Sequence, residues 1–216
     1  MRKQKRPDAP KVWIDNQEKW KRQWLALRSK NPSAKFEWYT VGNQKANEIA
    51  LPTLMSMTQY HCAFCDAYPV RGVANDTIEH FRPKGDGRFT SEAYTWENLY
   101  YCCNYCQSAK LNQWDDGLLR PDADGYLHKT YFEFDYTTGQ IQPNRVANAE
   151  DQHRAEVTIR LYGLDHKPRR DNRRWELRER QRAGNLPIDE FTAYRDFLEN
   201  DPTCKFTAQG DYLENE

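Results

Sequence analysis

The chain has 216 residues, enough for one sizeable domain with decorations and too few for two independent large ones. It is 38% hydrophobic and 30% charged with a mean hydropathy of −1.05, and the 7 Trp, 13 Tyr and 9 Phe that must supply much of its core argue against disorder. A formal net charge of zero argues against non-specific coating of nucleic acid, and no apolar run reaches the roughly 20 residues of a membrane span or follows the N-terminus as a signal peptide would.

The cytoplasm is therefore the expected compartment, where six cysteines read as metal ligands before they read as disulfides. The zero charge is also a sum of segregated runs. Residues 1–30 and the stretch from Arg160 to Arg182 are basic, and Asp189 to Glu216 is acidic. That pattern suits a phosphate-facing surface beside an acidic face for a partner, and equally suits solvated helix faces.

In chain order, Trp13 to Arg28 places Trp13, Trp20, Trp24 and Leu27 at helical spacing among basic residues, and Asn31-Pro32-Ser33 ends that helix. A second helix is expected from Ala46 to Tyr60, carrying Ile49, Leu51, Leu54 and Met57, with Pro52 near its start or at a kink. From Cys62 to Lys110 the texture changes to short strands and turns, with Thr77-Ile78 leading into Glu79-His80 and a turn at Lys84-Gly85-Asp86-Gly87. Tyr131 to Tyr136 alternates with period two and ends at Thr138-Gly139, which predicts a strand or hairpin. Asp151 to Arg182 predicts two basic helices broken near Gly163 and Pro168, and Ile188 to Leu198 a last short helix. The expected organisation is a basic helical region over 1–60, a central core over 61–115 and a hairpin and helical region over 116–216, packed together as one α+β domain.

Cys62-Ala63-Phe64-Cys65 and Cys103-Asn104-Tyr105-Cys106 are two pairs with the two-residue gap that lets both thiolates of a knuckle reach one zinc. Together they predict a closed, structural four-sulfur site, with room between the pairs for a small catalytic element. Replacing Cys103 by Cys102 would widen the second knuckle, so Cys102 is assigned to packing, and Cys204 to a lone structural thiol.

Between and beside these pairs stand Thr77-Ile78-Glu79-His80-Phe81-Arg82-Pro83-Lys84, Trp96-Glu97-Asn98-Leu99 and Cys103-Asn104-Tyr105-Cys106-Gln107-Ser108-Ala109-Lys110. These motifs resemble the HNH (ββα-metal) nuclease family, in the subclass pinned by two cysteine pairs, and in particular the HNH component of Septu-type anti-phage defence systems, which also occurs with some retrons. The resemblance covers about a quarter of the chain closely, and Ile159 to Leu164 more loosely. It implies a small ββα-metal core stapled by the zinc and surrounded by N- and C-terminal helices. It also implies phosphodiester hydrolysis, DNA more than RNA as substrate, an ATPase partner and a role in defence.

The chemistry needs a base, a divalent cation and a rigid scaffold. His80 suits the base, since its ordinary pKa leaves it neutral at cellular pH, and Glu79 offers a hard carboxylate oxygen for magnesium or manganese. By the resemblance, Asn98 is the central asparagine that braces the loop and helps orient the base. Gln107 stands where the family places Asn or His as second metal ligand, the same amide oxygen as Asn on a longer stem. Lys110, and Arg82 or Lys84, are candidate phosphate contacts. Singly each residue has a bland reading: a surface ion pair for Glu79 and His80, a helix cap for Asn98, a solvated lysine for Lys110. Two other functions compete: a zinc-stabilised binding module in which Gln107 marks a decayed metal site, and a transcription regulator using the helices from Arg160 to Arg182, which lack a helix-turn-helix pattern.

Overall fold

Pro10, with a fixed φ suited to helix entry, leads directly into α1 (Lys11–Lys30) in a computed structural model that describes residues 1–68, 74–135 and 137–183. The expected helix from Ile188 to Leu198, the acidic run from Asp189 and Cys204 lie outside the described residues, as does Tyr136. Trp13, Trp20 and Trp24 form the buried stripe of α1, and they meet Trp96, Tyr94 and Phe36 at ring-centroid distances of 5.6, 5.6 and 5.2 Å. Leu27 departs from that stripe and is 42% exposed. The aromatic layer closes at Trp24, which Phe36 covers edge-on and the Arg28 guanidinium covers from 5.6 Å.

A short hairpin, β1 (Thr40–Val41) with β2 (Gln44–Lys45), delivers the chain to α2 (Ala46–Met57). The Glu48 carboxylate accepts the Lys45 backbone N–H at 2.9 Å and so satisfies one of the orphan donors at the helix start. Pro52 is inside α2. The helix stops at Met57, short of the expected Tyr60, because Gln59 and Tyr60 take φ of +53° and +65°, a conformation that cannot continue a right-handed helix.

β3 (Asp76–His80) pairs antiparallel with β4 (Leu99–Cys103), Asp76 opposite Cys103 and His80 opposite Leu99. Two 3₁₀ turns, Gly87–Glu92 and Trp96–Asn98, fill the loop between them, and α3 (Asn104–Lys110) follows β4 without a break. Every residue of β4 is buried, so the pair forms the centre of the core. The N-terminal segment is tied to this centre: Arg6 donates to Asp122, Trp96 O and Leu99 O at 2.6, 3.0 and 3.0 Å and lies 4.5 Å over the Tyr100 ring.

Beyond α3, α4 (His128–Tyr131) leads into the hairpin of β5 (Phe132–Asp135) and β6 (Gln140–Pro143) that the period-two pattern predicts. The basic stretch forms α5 (Ala149–Tyr162) and α6 (Lys167–Ala183). Asn148 caps α5 by accepting the Asp151 N–H at 2.9 Å, and Gly163 ends it in the left-handed region at φ +58°. Pro168 lies in the first turn of α6, where a missing N–H leaves no bond unmade, so the break belongs to Gly163. One buried cluster joins Trp13, Leu54, Tyr101, Ile141 and Leu161, which come from α1, α2, β4, β6 and α5, and the result is a mixed α+β fold. No helix among the described residues is long and apolar enough to cross a membrane.

Gly139 has φ +72°, and a Cβ there would strike the backbone carbonyl of Arg170 in α6. Gly139→Ala is expected to destabilise by about 1 to 2 kcal/mol from the left-handed conformation and further from that clash, read as a lowered urea midpoint; a loss no larger than the conformational part would mean that α6 does not seat on this hairpin.

Candidate metal centre and active site

The first cysteine pair sits in a tight turn after α2, where Asp66 N–H bonds to Cys62 O at 3.0 Å and Asp66 itself takes φ +64°. The second pair spans the end of β4 and the first turn of α3, so the strand register and the helix start together place Cys103 and Cys106. The ligand atoms of Cys62, Cys65, Cys103 and Cys106 lie within 4.8 Å of one another, and two of the sulfur separations, Cys62 to Cys106 and Cys65 to Cys103, are 3.7 Å. A tetrahedral zinc with bonds of about 2.3 Å requires sulfur separations of about 3.8 Å. The donor set therefore fits a closed four-sulfur metal site.

Burial pushes the Cys62 and Cys106 thiols well up, whereas hydrogen bonds from Cys103, Cys106 and Cys62 hold the Cys65 thiol well below its ordinary value. Arg169, from the first turn of α6, sends both terminal nitrogens to Cys106 Sγ at 3.3 Å each, so a guanidinium offsets negative charge on the sulfurs and ties α6 to the knuckles. Cys102 faces away from the cluster, with its sulfur 3.2 Å from Thr77 Oγ1, as the alternation of β4 requires. We expect close to one zinc per purified chain, and a chelator that removes it should lower the melting temperature; a metal-free chain with an unchanged melt would exclude a structural role for the four sulfurs.

The other candidates gather around the end of β3. Glu79 is 3% exposed and its Oε1 accepts the Lys110 ammonium at 2.7 Å; Lys110, fully buried, also donates to His80 O at 3.1 Å. Burial pushes the Glu79 carboxyl up to about 7, against the pull of Lys110 and Lys84. Gln107 Nε2 donates to Ile78 O at 2.8 Å, while its amide oxygen makes no hydrogen bond among the described residues. Asn98 braces the loop: its Oδ1 accepts Arg82 N–H at 2.7 Å, and its Nδ2 donates to Arg82 O and Glu92 O at 3.0 and 3.1 Å.

His80 is 3% exposed, its Nε2 is 2.9 Å from Ala93 O, and its Nδ1 is buried without a hydrogen-bond partner. A carbonyl only accepts, so Nε2 carries the proton and Nδ1 keeps its lone pair. Burial, then Lys84, holds the ring's pKa well below its ordinary value, which keeps it neutral. Glu79 and His80 thus face different neighbours, as consecutive strand residues do: Glu79 meets α3, and His80 meets Ala93, Trp38 and Phe36.

Arg82 is exposed and paired with Glu92 at 2.9 Å, and the Lys84 ammonium lies 5.2 Å over Phe36. The structure therefore brings Glu79, Lys110 and the His80 carbonyl together, and Asn98 with the backbone of Arg82. It engages the Gln107 amide nitrogen with Ile78 and not with Glu79. Sequence reasoning missed Phe36, Trp38, Ala93, Tyr94 and Arg169, which reach the site from distant segments; only the aromatic density of residues 36–39 hinted at any of them.

The Glu79–Lys110 pair yields a stability test. Lys110→Met should cost about 3 to 5 kcal/mol in chemical denaturation by leaving a buried carboxyl unpaired, and adding Glu79→Gln should recover part of that loss; equal losses in the single and double variants would show that the pair is not coupled. Comparison of the chain with protein-family models and with curated proteins gives no match in either case.

Proposed function

We propose that this chain is a metal-dependent HNH endonuclease whose ββα core is β3, β4 and α3, stapled by a structural zinc on Cys62, Cys65, Cys103 and Cys106. The observation that carries this reading is His80: a buried neutral imidazole at the end of β3, its tautomer set by Ala93 O, its Nδ1 lone pair unpartnered, and its loop braced by Asn98. That is the state a general base needs before it takes a proton from water.

Glu79 and the Gln107 amide oxygen are the hard oxygen donors that would hold a magnesium or manganese ion. Such an ion neutralises charge developing on a phosphate and its leaving oxygen. The fit rests on donor chemistry: a carboxylate on β3 and, on α3, an amide oxygen that makes no hydrogen bond among the described residues. In this reading His80 Nδ1 accepts the proton of the attacking water, Asn98 keeps the loop from shifting, Lys110 holds Glu79 in place, and Lys84 and Arg82 bind phosphate oxygens. DNA is the favoured substrate over RNA. The resemblance extends the proposal to an ATPase partner and a cytoplasmic role in anti-phage defence.

Two observations favour a second reading. The Lys110 ammonium already neutralises Glu79, and the Gln107 nitrogen is engaged with Ile78, as in a site that has given up its cation and serves as a zinc-stabilised module binding nucleic acid or a partner. Cleavage of plasmid, linear duplex and single-stranded substrates with magnesium or manganese, alone and with the ATPase, separates the two. The nuclease reading expects cutting that His80→Ala abolishes with zinc content unchanged, and that Gln107→Asn preserves or increases. Silence of all three proteins under every condition would leave the binding module.

A further inference from the structure

A general base that water cannot reach is not yet a base. His80 Nδ1 is buried and unpartnered, and the two rings that close over its imidazole are Trp38, stacked at 5.2 Å and 22°, and Phe36, edge-on at 5.1 Å and 77°. Both come from residues 31–39, the connection between α1 and β1, which forms no helix or strand. Both are only half-buried, so displacing them uncovers less apolar surface than displacing a core side chain.

The connection is held by ring contacts, Phe36 on Trp24 and Tyr94 at 5.2 and 5.4 Å and Trp38 on Tyr94 and Trp13 at 5.8 and 6.3 Å, and by a small set of hydrogen bonds. The Tyr94 hydroxyl donates to Glu37 O at 2.8 Å and accepts from Tyr39 N–H at 3.3 Å, which fixes the backbone on either side of Trp38. Phe36 and Trp38 pack edge-to-face at 4.9 Å, Lys84 lies over Phe36 at 5.2 Å, and Arg28 reaches Ala34 O at 3.4 Å. Tyr94 is buried and lies in the same loop as Ala93, whose carbonyl sets the His80 tautomer. Consecutive residues thus hold the histidine and its cover.

We propose that residues 34–39 are a displaceable strap over His80, latched by the Tyr94 hydroxyl: closed, it denies Nδ1 to water and substrate, and its release opens the base together with Lys84. Its catalytic meaning rests on the nuclease reading; the shielding of His80 does not. The Lys84 contact gives the opening a direction, since a phosphate that recruits the Lys84 ammonium removes one of the contacts on Phe36 and so favours the open strap.

The test is reaction of the full-length protein with diethylpyrocarbonate, mapped by peptide, in wild type, Trp38→Ala and Tyr94→Phe. The exposed His153 and His166 serve as fast references, and the buried His61 and His128 report general loosening. In wild type His80 should react far more slowly than His153. Both variants should speed His80 by about fivefold or more, the scale of one or two lost interactions, with His61 and His128 unchanged. Tyr94→Phe keeps the ring and removes only the latch, so it stands if Trp38→Ala fails to fold. A wild-type His80 as reactive as His153, or one no faster in Tyr94→Phe, overturns the strap. Faster modification in the variants with no cleavage by any of the proteins, ATPase present, supports the strap and rejects the nuclease.

Discussion

Four sulfurs from two separate segments share a space 4.8 Å across, and most of the central architecture follows from that constraint. Cys103 can reach the cluster only as the last residue of β4, and Cys106 only from the first turn of α3, so the strand must end and the helix begin where they do. The pairing of Asp76 with Cys103 then sets the register that carries Glu79 opposite Tyr100 and His80 opposite Leu99. Through Arg169 the same sulfurs also hold α6, so an element late in the chain depends on a cluster formed around its middle.

Charge segregation along the sequence turns inward in the fold. Arg6 from the basic N-terminus serves Asp122 and two backbone carbonyls, Arg169 serves Cys106, and Arg173 donates to Gly139 O and Leu164 O. Arg160 is paired with Asp115 at the surface. Arginine suits such work because its planar fork meets several acceptors at once. A run of arginines in sequence is therefore ambiguous between a phosphate-binding face and a set of internal clamps, and here named members of both runs are clamps.

What was legible in the sequence is what depends on spacing. The knuckle gaps gave the cluster, the tryptophan spacing gave α1, the period-two stretch gave the β5–β6 hairpin, and Gly163 marked the break between α5 and α6. Pro52 inside α2 was less legible, because surrounding packing overrides the lost hydrogen bond. The left-handed Gln59 and Tyr60 that end α2 carry no glycine to announce them. At the site, the motif residues were legible and their partners were not: the burial of Lys110 and the cover of His80 by Trp38 join residues far apart in sequence. Such contacts have no local periodicity, and they decide whether the histidine meets water.

The electrostatics of the site set a condition on the nuclease reading. Around Glu79 stand two ammonium groups, Lys110 in contact and Lys84 close enough to pull on its carboxyl, so the pocket holds one negative and two positive charges when all are ionised. A lysine as deeply buried as Lys110 persists because its ammonium has two oxygen acceptors in reach, the carboxylate and the His80 carbonyl. Adding a divalent cation alone would raise an already positive balance in a poorly solvated place. Adding it with a phosphate would not, since the phosphate brings the negative charge that the lysines lack. On the nuclease reading, cation and phosphate would therefore be taken up together, each weakly without the other, against the contacts of Lys110 with Glu79 and of Trp38 with His80.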